Sequence, residues 1–569
     1  MRVWIKPPLF LCAATFWIVL SFIWCPAGAF TRPVVSARVY AKLATETDSA
    51  AVWVFLHDKD PLGDKLSRVA PTTSWISARA VERHRVKGLP LVTEDDRPIS
   101  KDAVGHLVGA GLRVRTVSRW FTAVSGWVNH GSLKRIAEIS WVDSVRVVQT
   151  YRRPLAPVIP KEESLPREMI PRDDEIDYGP SQTQLAQIGI IDAHRAGYDG
   201  SGVLIGFLDT GYNLDHEAFA STQVIDTWDF INGDEDVSDD DNSQMHHGTM
   251  TWSACGAFVP GKLIGAAYGA DFMLAKTEIA SDEIEIEEDF YVLGLEWFDS
   301  LGVDIVSSSL GYPDWYEYGD LNGRTAITTK AVNHAASRGI LVVTAAGNEG
   351  NNKSRPWIIP PADSDSAIAV GAVLASGARW SSSSVGPTAD GRIKPDVMAM
   401  GSQVWAAHEI DGQYLQVSGT SLATPLVAGA CALILQQSPR LKPMELISRL
   451  HETSSEADSP DNEMGYGIVN LRQAMNLDSA VGDDFRVGPN PFTESIQFEF
   501  PSDTPVGEIK MRVFSTAGKM VFSHEIDGLN YTWDGRNNSG KRLAGGVYLC
   551  WFDTPSAEYT VKVAFMRQD

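Results

Sequence analysis

Cysteine is scarce in this chain, with five among 569 residues. Two of them, Cys12 and Cys25, fall within the first 29 residues, which leaves Cys255, Cys431 and Cys550. An odd, widely spaced set excludes a dense disulfide framework as the source of stability. Cys255 and Cys431 lie in stretches that read as core helices, where a thiol serves as a small apolar side chain. Positive charge is also in short supply: 49 Lys and Arg face 72 Asp and Glu, for a formal net charge of −23. Phosphate backbones need basic footing, so nucleic acid is excluded as a partner. An acidic surface suits a soluble, exported protein. Long apolar runs are missing too, except at the start. There MRVWIK carries positive charge, LFLCAATFWIVLSFIW is apolar, and Ala27-Gly28-Ala29 supplies a small-residue cleavage site. The run is shorter than the roughly 20 residues of a spanning helix. Residues 1–29 therefore read as a secretory signal, an uncleaved anchor being the alternative, and the protein as secreted or cell-surface, with no stable membrane span after signal cleavage.

What is present points to a globular chain of about three or four domains. The apolar fraction is 44% and there are 17 Trp, far from a disordered composition. Residues 35–151 mix alternating apolar runs (VWVFLH, LRVRTV, FTAVSGWV) with helical patterns near 73–87 and 130–140, which predicts a small α+β domain. Residues 152–177 are rich in Pro and charge without a hydrophobic period and read as a cleavable linker. From 178 to 476, short apolar strands such as VLIGFLD (203–209), VDIVSSSL (303–310) and GILVVTAAG (339–347) alternate with helical stretches. That pattern predicts an α/β fold with a doubly wound, mostly parallel sheet, whose ligands gather at the carboxyl ends of the strands. Residues 485–569 switch to period-two strands separated by turns such as WDGRNNSG, the pattern of a β-sandwich.

Four segments carry candidate chemistry. In VSGTSLATPLVAGACALIL (417–435), Ser421 precedes an apolar helix that holds Pro425 in its opening turns. A capped core helix accounts for this. So does a nucleophilic hydroxyl at a helix N-terminus, where backbone N–H groups favour negative charge. Asp209 ends the strand VLIGFLD before Thr-Gly, either as a turn residue or as the buried acid that fixes a histidine tautomer. His246 and His247 stand before Gly248-Thr249 and are expected to open a helix. Neighbouring side chains diverge on a helix and chelate poorly, so His247 is read as a base oriented by Asp209 and His246 as a bystander. Asn348, in AAGNEG after the strand ILVVT, is either a turn residue or an amide aimed at an oxyanion.

Together, DTG, HGT, AAGNEG and SGTSLATPLVAG resemble the signature blocks of the subtilisin-like serine peptidases, and SSVGPTADGRIKPDV at 383–397 is similar to a further block. The resemblance covers about residues 178–476. It implies a secreted endopeptidase with Ser421 as nucleophile, His247 as base, Asp209 as orienting acid, and Asn348 with the Ser421 N–H as oxyanion donors. It further implies that Ser309, Leu310, Gly311 and Gly347 line the extended substrate, protein or peptide in nature. Pro425 lacks an N–H and would leave the Ser421 carbonyl without its usual helical partner. Residues 35–151 resemble the inhibitory propeptides of this family, implying a self-processing precursor held by its own propeptide as intramolecular inhibitor. PNPF, WDGRNNSG and GGVYLCWF look like Ig-like sorting or adhesion domains of exported proteins of Bacteroidetes-type bacteria, which suggests the type IX secretion machinery as a partner.

The chain departs from the family in places. Met250-Thr251-Trp252-Ser253 stands where H-V-A-G is common after the HGT block, and CGAFVPGKLIGAAYGADFMLAK lacks the longer loop that in many relatives clasps calcium. No cofactor is expected. Calcium on the run DEDVSDDD (234–241) is an alternative to a solvated acidic loop and is not predicted. Carboxylates in SDEIEIEEDF (281–290) and Glu349 suggest a taste for basic residues near the cleaved bond. Two rival functions stay open on the sequence: an inactive peptidase-like adhesion protein, and an esterase-like acyl hydrolase.

Overall fold

The structure is a computed structural model that describes residues 34–45, 49–63, 75–148, 176–239, 242–280, 286–312, 316–477, 485–488, 490–500, 509–516, 518–554 and 558–566. The expected signal and nearly all of the expected linker lie outside the described residues.

The N-terminal module runs β1 (Val34–Val35), α1 (Ala37–Thr45), β2 (Ala50–Leu56), α2 (Ala78–Val86), α3 (Lys101–Gly109), β3 (Arg113–Ser118), β4 (Ala123–Val128), α4 (His130–Ile136) and β5 (Val142–Val147). Its sheet has the order β1-β5-β2-β4-β3 and is antiparallel except for the β1–β5 pair. The predicted helix near 130–140 is α4, and α2 is shorter than the 73–87 pattern. Val52, Val54, Val124 and Val145 line its own core together with Leu107 and Leu133.

The central module contains α5 (Gln182–Gln187), α6 (Ile190–Arg195), β6 (Leu204–Asp209), β7 (Gln223–Asp229), α7 (Asn242–Gly256), β8 (Phe258–Val259), β9 (Leu263–Ile264), β10 (Asp271–Lys276) and α8 (Ile286–Leu301). It continues through β11 (Ile305–Ser308), α9 (Ile327–Ser337), β12 (Leu341–Ala345), β13 (Ala367–Val373), β14 (Val397–Met400), β15 (Val404–Ala407), β16 (Tyr414–Val417), α10 (Thr420–Gln437), α11 (Pro443–Thr453) and α12 (Leu471–Ala474). Seven strands pair in the order β14-β13-β12-β11-β6-β10-β7, every pair parallel, as the sequence predicts. Strands of such a sheet are apolar throughout because both faces are covered. In β6, Ile205 and Phe207 join the core that contains α10, while Leu204 and Leu208 join the one beneath α8 and α9. Helix α10 is apolar and long enough to cross a membrane, yet 89% of that stretch is buried inside the protein. Cys255 and Cys431 are free and buried in the same core.

The C-terminal module comprises β17 (Arg486–Gly488), β18 (Ile496–Glu499), β19 (Ile509–Ser515), β20 (Met520–Ile526), β21 (Asn530–Trp533), β22 (Gly546–Asp553) and β23 (Glu558–Phe565). Two antiparallel sheets, β17-β18-β21 and β20-β19-β22-β23, share one core around Phe492, Trp533 and Phe552, which makes the expected sandwich.

The N-terminal module sits on α8 and α9 of the central one. Trp120 is buried there among central-module core residues. Around it, Asp299 accepts from Arg83 and, at 3.0 Å, from Arg119, and it pairs with Arg338 at 3.4 Å. Arg338 also reaches back to Asp96. The Glu296 carboxylate accepts from the Ser118 hydroxyl and from the Arg119 and Trp120 N–H groups. Burial opposes the charge on Asp299, but the guanidinium groups of Arg83, Arg338 and Arg119 outweigh it and hold the carboxyl below its usual range. At Asp289, burial wins. Its carboxyl is pushed up to about 6 despite Arg115 at 3.2 Å and the Ser125 hydroxyl.

Candidate active site

Parallel pairing in one register aligns the carboxyl ends of three strands. Ser308 stands opposite both Leu208 and Thr344, so the residues that follow, Asp209, Ser309 and Ala345, form one row at the sheet edge. Asp209 is fully buried at the end of β6. A bare carboxylate there requires partners, and it has four donors. His247 Nδ1 lies 2.6 Å from Oδ1, the Thr210 N–H and hydroxyl also reach Oδ1, and the Thr251 hydroxyl donates to Oδ2 at 2.8 Å.

His247 does not open its helix, contrary to the expectation. Helix α7 begins at Asn242, so both histidines lie in its second turn. The polar residues Ser243 and Gln244 extend the helix ahead of them. The macrodipole at the helix end is therefore a smaller influence than the sequence implied. Burial pushes the His247 imidazole toward the neutral form, but the charge of Asp209 and its hydrogen bond outweigh that and raise its pKa above the ordinary value. The imidazole keeps 27% exposure, against 1% for the Asp209 side chain, so its outer edge meets solvent. Gly248 allows α7 to come this close. A Cβ there would lie 2.1 Å from the Gly211 carbonyl oxygen.

The amide of Asn348 is locked. Its Oδ1 accepts from the Thr420 N–H at 3.0 Å and the Thr420 hydroxyl at 3.1 Å. A backbone N–H can only donate, which identifies the atom facing it as oxygen and leaves Nδ2 turned away. A Cβ built on Gly419 would stand 3.8 Å from Asn348 Nδ2 and 3.7 Å from the Ser421 nitrogen, so both donors border one small space. Gly347, with φ of 108°, makes the turn before Asn348 and donates its N–H to the Thr420 hydroxyl. Left-handed backbone of this kind favours glycine.

Ser421 is the second residue of α10, behind Gly419. Its hydroxyl donates to the Ser309 carbonyl at 3.4 Å, and the Ser309 hydroxyl donates to the Ser421 carbonyl at 2.7 Å. That second bond answers the question Pro425 raises. The helical N–H that Pro425 lacks is replaced by a hydroxyl from the neighbouring strand end. Thus the structure joins Asp209 to His247, Asn348 to Thr420, and Ser421 to Ser309. Among the described residues it shows no hydrogen bond between Ser421 and His247. Leu310 and Gly311 follow Ser309 along the same edge, where a Cβ at Gly311 would strike the Ile359 side chain at 2.3 Å.

Sequence reasoning missed Thr420 and Thr251. Thr251 stands four residues after His247, on the same face of α7. That spacing, at one of the positions where the chain departs from its relatives, was the available signal. His246 points elsewhere, to Glu409 in the β15–β16 loop. Among the described residues, the carboxylates expected to select basic substrates have other partners. Glu287 accepts from the Ile279 N–H, Glu288 from the Tyr316 hydroxyl, and Asp289 from Ser125, while residues 281–285 lie outside the described residues. The Glu349 carboxylate accepts from the Asn352 amide. In the acidic run, Asp234 and Asp236 cap local turns and Asp239 pairs with Lys276 at 2.9 Å; 240 and 241 lie outside the described residues.

Comparison with known proteins bears on the whole. Residues 200–467 match the model of the subtilase family, and residues 51–163 match a peptidase S8 propeptide domain of Bacteroidota. The chain is 34% identical to subtilisin DY of Bacillus licheniformis over 278 residues, 49% of this chain and 92% of that protein. It is 32% identical to subtilisin NAT of Bacillus subtilis subsp. natto over 299 residues, 52% of this chain and 71% of the relative. It is also 32% identical to subtilisin Savinase of Lederbergia lenta over 282 residues, 50% of this chain and 94% of that protein. With the sheet, the row of strand ends and these relatives in hand, the chain belongs to the subtilase family and is a subtilisin-like serine endopeptidase built with a propeptide domain.

Proposed function

We propose that Ser421, His247, Asp209 and Asn348 carry the peptidase reaction. A rotation about the Ser421 Cα–Cβ bond turns the hydroxyl from Ser309 to His247. Ser421 Oγ then attacks the carbonyl carbon of the scissile bond while its proton passes to His247 Nε2. The carbonyl oxygen becomes an oxyanion held by Asn348 Nδ2 and the Ser421 N–H. Collapse expels the amine, which takes the proton from His247 and leaves an acyl-enzyme. Water, deprotonated by the same imidazole, releases the acid. Asp209 keeps the proton on His247 Nδ1 and stabilises the imidazolium that forms. Ser309, Leu310, Gly311 and Gly347 would border the extended substrate as a main-chain partner. The chemistry uses only these side chains.

The observation that carries this reading is the 2.6 Å Asp209–His247 bond at the strand edge that also leads into Asn348 and Ser309. We further infer that residues 1–29 direct export, that the precursor cuts itself within 152–177, and that 485–569 serve sorting or adhesion on the way to the surface.

A fluorophosphonate probe tests the site. Mature protein should be labelled at Ser421, and His247→Ala should abolish labelling. No adduct at Ser421 would return the adhesion reading. Turnover of small esters without cleavage of casein would favour the esterase instead. Precursor carrying Ser421→Ala should stay whole where the wild type shortens.

A further inference from the structure

His246 leaves the proposed reaction unused, and its surroundings are unusual. It extends from α7 toward the loop between β15 and β16, where His408 and Glu409 sit. The donor atoms of these three side chains lie within 4.8 Å of one another. Both imidazoles address the same carboxylate oxygen, Glu409 Oε2, through Nδ1, with His408 at 2.9 Å. The two rings are perpendicular neighbours, 5.5 Å between centroids at 74°.

The contacts at His408 place two demands on one nitrogen. The Ile410 N–H donates to His408 Nδ1 at 3.1 Å, which requires a lone pair on that nitrogen. A lone pair 2.9 Å from a carboxylate oxygen is repelled unless a proton or a metal cation is shared between them. Moving the proton to Nδ1 satisfies Glu409 and sets two N–H groups against each other. One metal ion in place of the protons satisfies both imidazoles and the carboxylate. Ile410 lies in an exposed turn, where water can accept its N–H once the ion is bound.

The frame is set for such an ion. The Asn213 amide holds the Glu409 carbonyl at 2.8 Å, and the His408 N–H bonds to the Gln413 carbonyl at 3.0 Å, so the loop is fastened on both sides of its ligands. Outer-shell contacts of this kind orient metal ligands. The three side chains keep 21%, 21% and 12% exposure, enough for entry of an ion and for water at the remaining position. Two imidazoles and one carboxylate suit zinc and its d-block neighbours, whereas calcium and magnesium require oxygen ligands. Tetrahedral ligands at zinc distances stand about 3.3 Å apart, so His408 and Glu409 need to part by about 0.4 Å, and the closer pair His246 and Glu409 by about 1 Å.

We propose that His246, His408 and Glu409 bind one divalent cation of the zinc type. The ion would clamp two segments. One is the helix that carries His247, and the other is the hairpin whose second strand runs into Ser421. This inference does not depend on the reaction assigned above, because its readout is binding and stability.

The test uses full-length protein with Ser421→Ala to prevent self-digestion, stripped by chelator. Zinc alone should bind at one ion per chain and raise the melting temperature by about 5 °C at a hundredfold excess over Kd. Calcium should do neither. His246→Gln and Glu409→Gln should each weaken zinc binding at least tenfold while melting like the parent in chelator. If one of them fails to fold, His408→Gln takes its place. No zinc binding by the parent, or binding undiminished in the folded variants, overturns the proposal.

Discussion

Replacing Ser309 by Ala removes the only hydroxyl that, among the described residues, reaches the Ser421 carbonyl, and Pro425 cannot supply a substitute. An orphaned, buried carbonyl costs roughly 1–3 kcal/mol. Ser421 is half-buried, so water can recover part of that, and about 1 kcal/mol is the expected loss. In Pro425→Ala the helix regains an N–H four residues after Ser421, the normal partner of its carbonyl. Ser309 should then be dispensable. A double-mutant cycle isolates the effect. Ser309→Ala alone should lower kcat/KM about fivefold, since the helix opening behind the nucleophile loses its tether. Added to Pro425→Ala, the same change should cost less than twofold, a coupling of about 0.5–1 kcal/mol. Kinetics on a peptide substrate give one readout. Melting curves in a Ser421→Ala background, which retains the backbone carbonyl, give the other. Equal losses from Ser309→Ala with and without Pro425 would refute the idea that the hydroxyl stands in for the missing helical bond.

Other outcomes follow from the same geometry. Asp299→Asn should weaken inhibition of mature enzyme by its separate propeptide at least a hundredfold, because Arg83, Arg119 and Arg338 would be left buried beside a neutral group; an unchanged inhibition constant would show that these pairs add nothing to docking. Propeptide affinity should fall by roughly tenfold to a hundredfold between pH 4 and 6.5. Docking raises the Asp289 carboxyl to about 6 by burial, so the protonated form docks better and the advantage disappears once pH passes that value. Asp289→Asn should flatten this profile in an inhibition assay. Gly248→Ala should reduce kcat at least a hundredfold, since the methyl would force α7 away from Gly211 and shift His247 relative to Asp209. Retention of most activity would show that the helix has room.

The architecture was legible wherever one physical pattern ran uninterrupted. VLIGFLD and ILVVT are apolar on both faces and could only be strands of a covered sheet, and the alternation of 496–499 could only be a strand with one wet face. Helices α1 and α3 escaped notice because they are nine residues each with mixed polarity, and their burial is decided by the neighbouring sheet. At the site, residues with distinctive chemistry announced themselves. The hydroxyls of Thr251 and Thr420 did not, since threonine is common and their partners stand 42 and 72 positions away. The start of α7 was misplaced because Gly248 after two histidines looks like a helix boundary. The structure instead uses that glycine for close approach inside the helix. His246 was set aside on local grounds that hold. Its partners come from residues 408 and 409, which no local pattern connects to it.

The face on which the N-terminal module rests gives activation a direction. Asp289, Glu296, Asp299 and Arg338 are buried where that module covers them. Once it departs, each acquires a hydration shell, and a returning copy would have to strip all of them before a single ion pair could reform. Solvent itself should therefore act as a ratchet, discouraging recapture even before the released piece is digested.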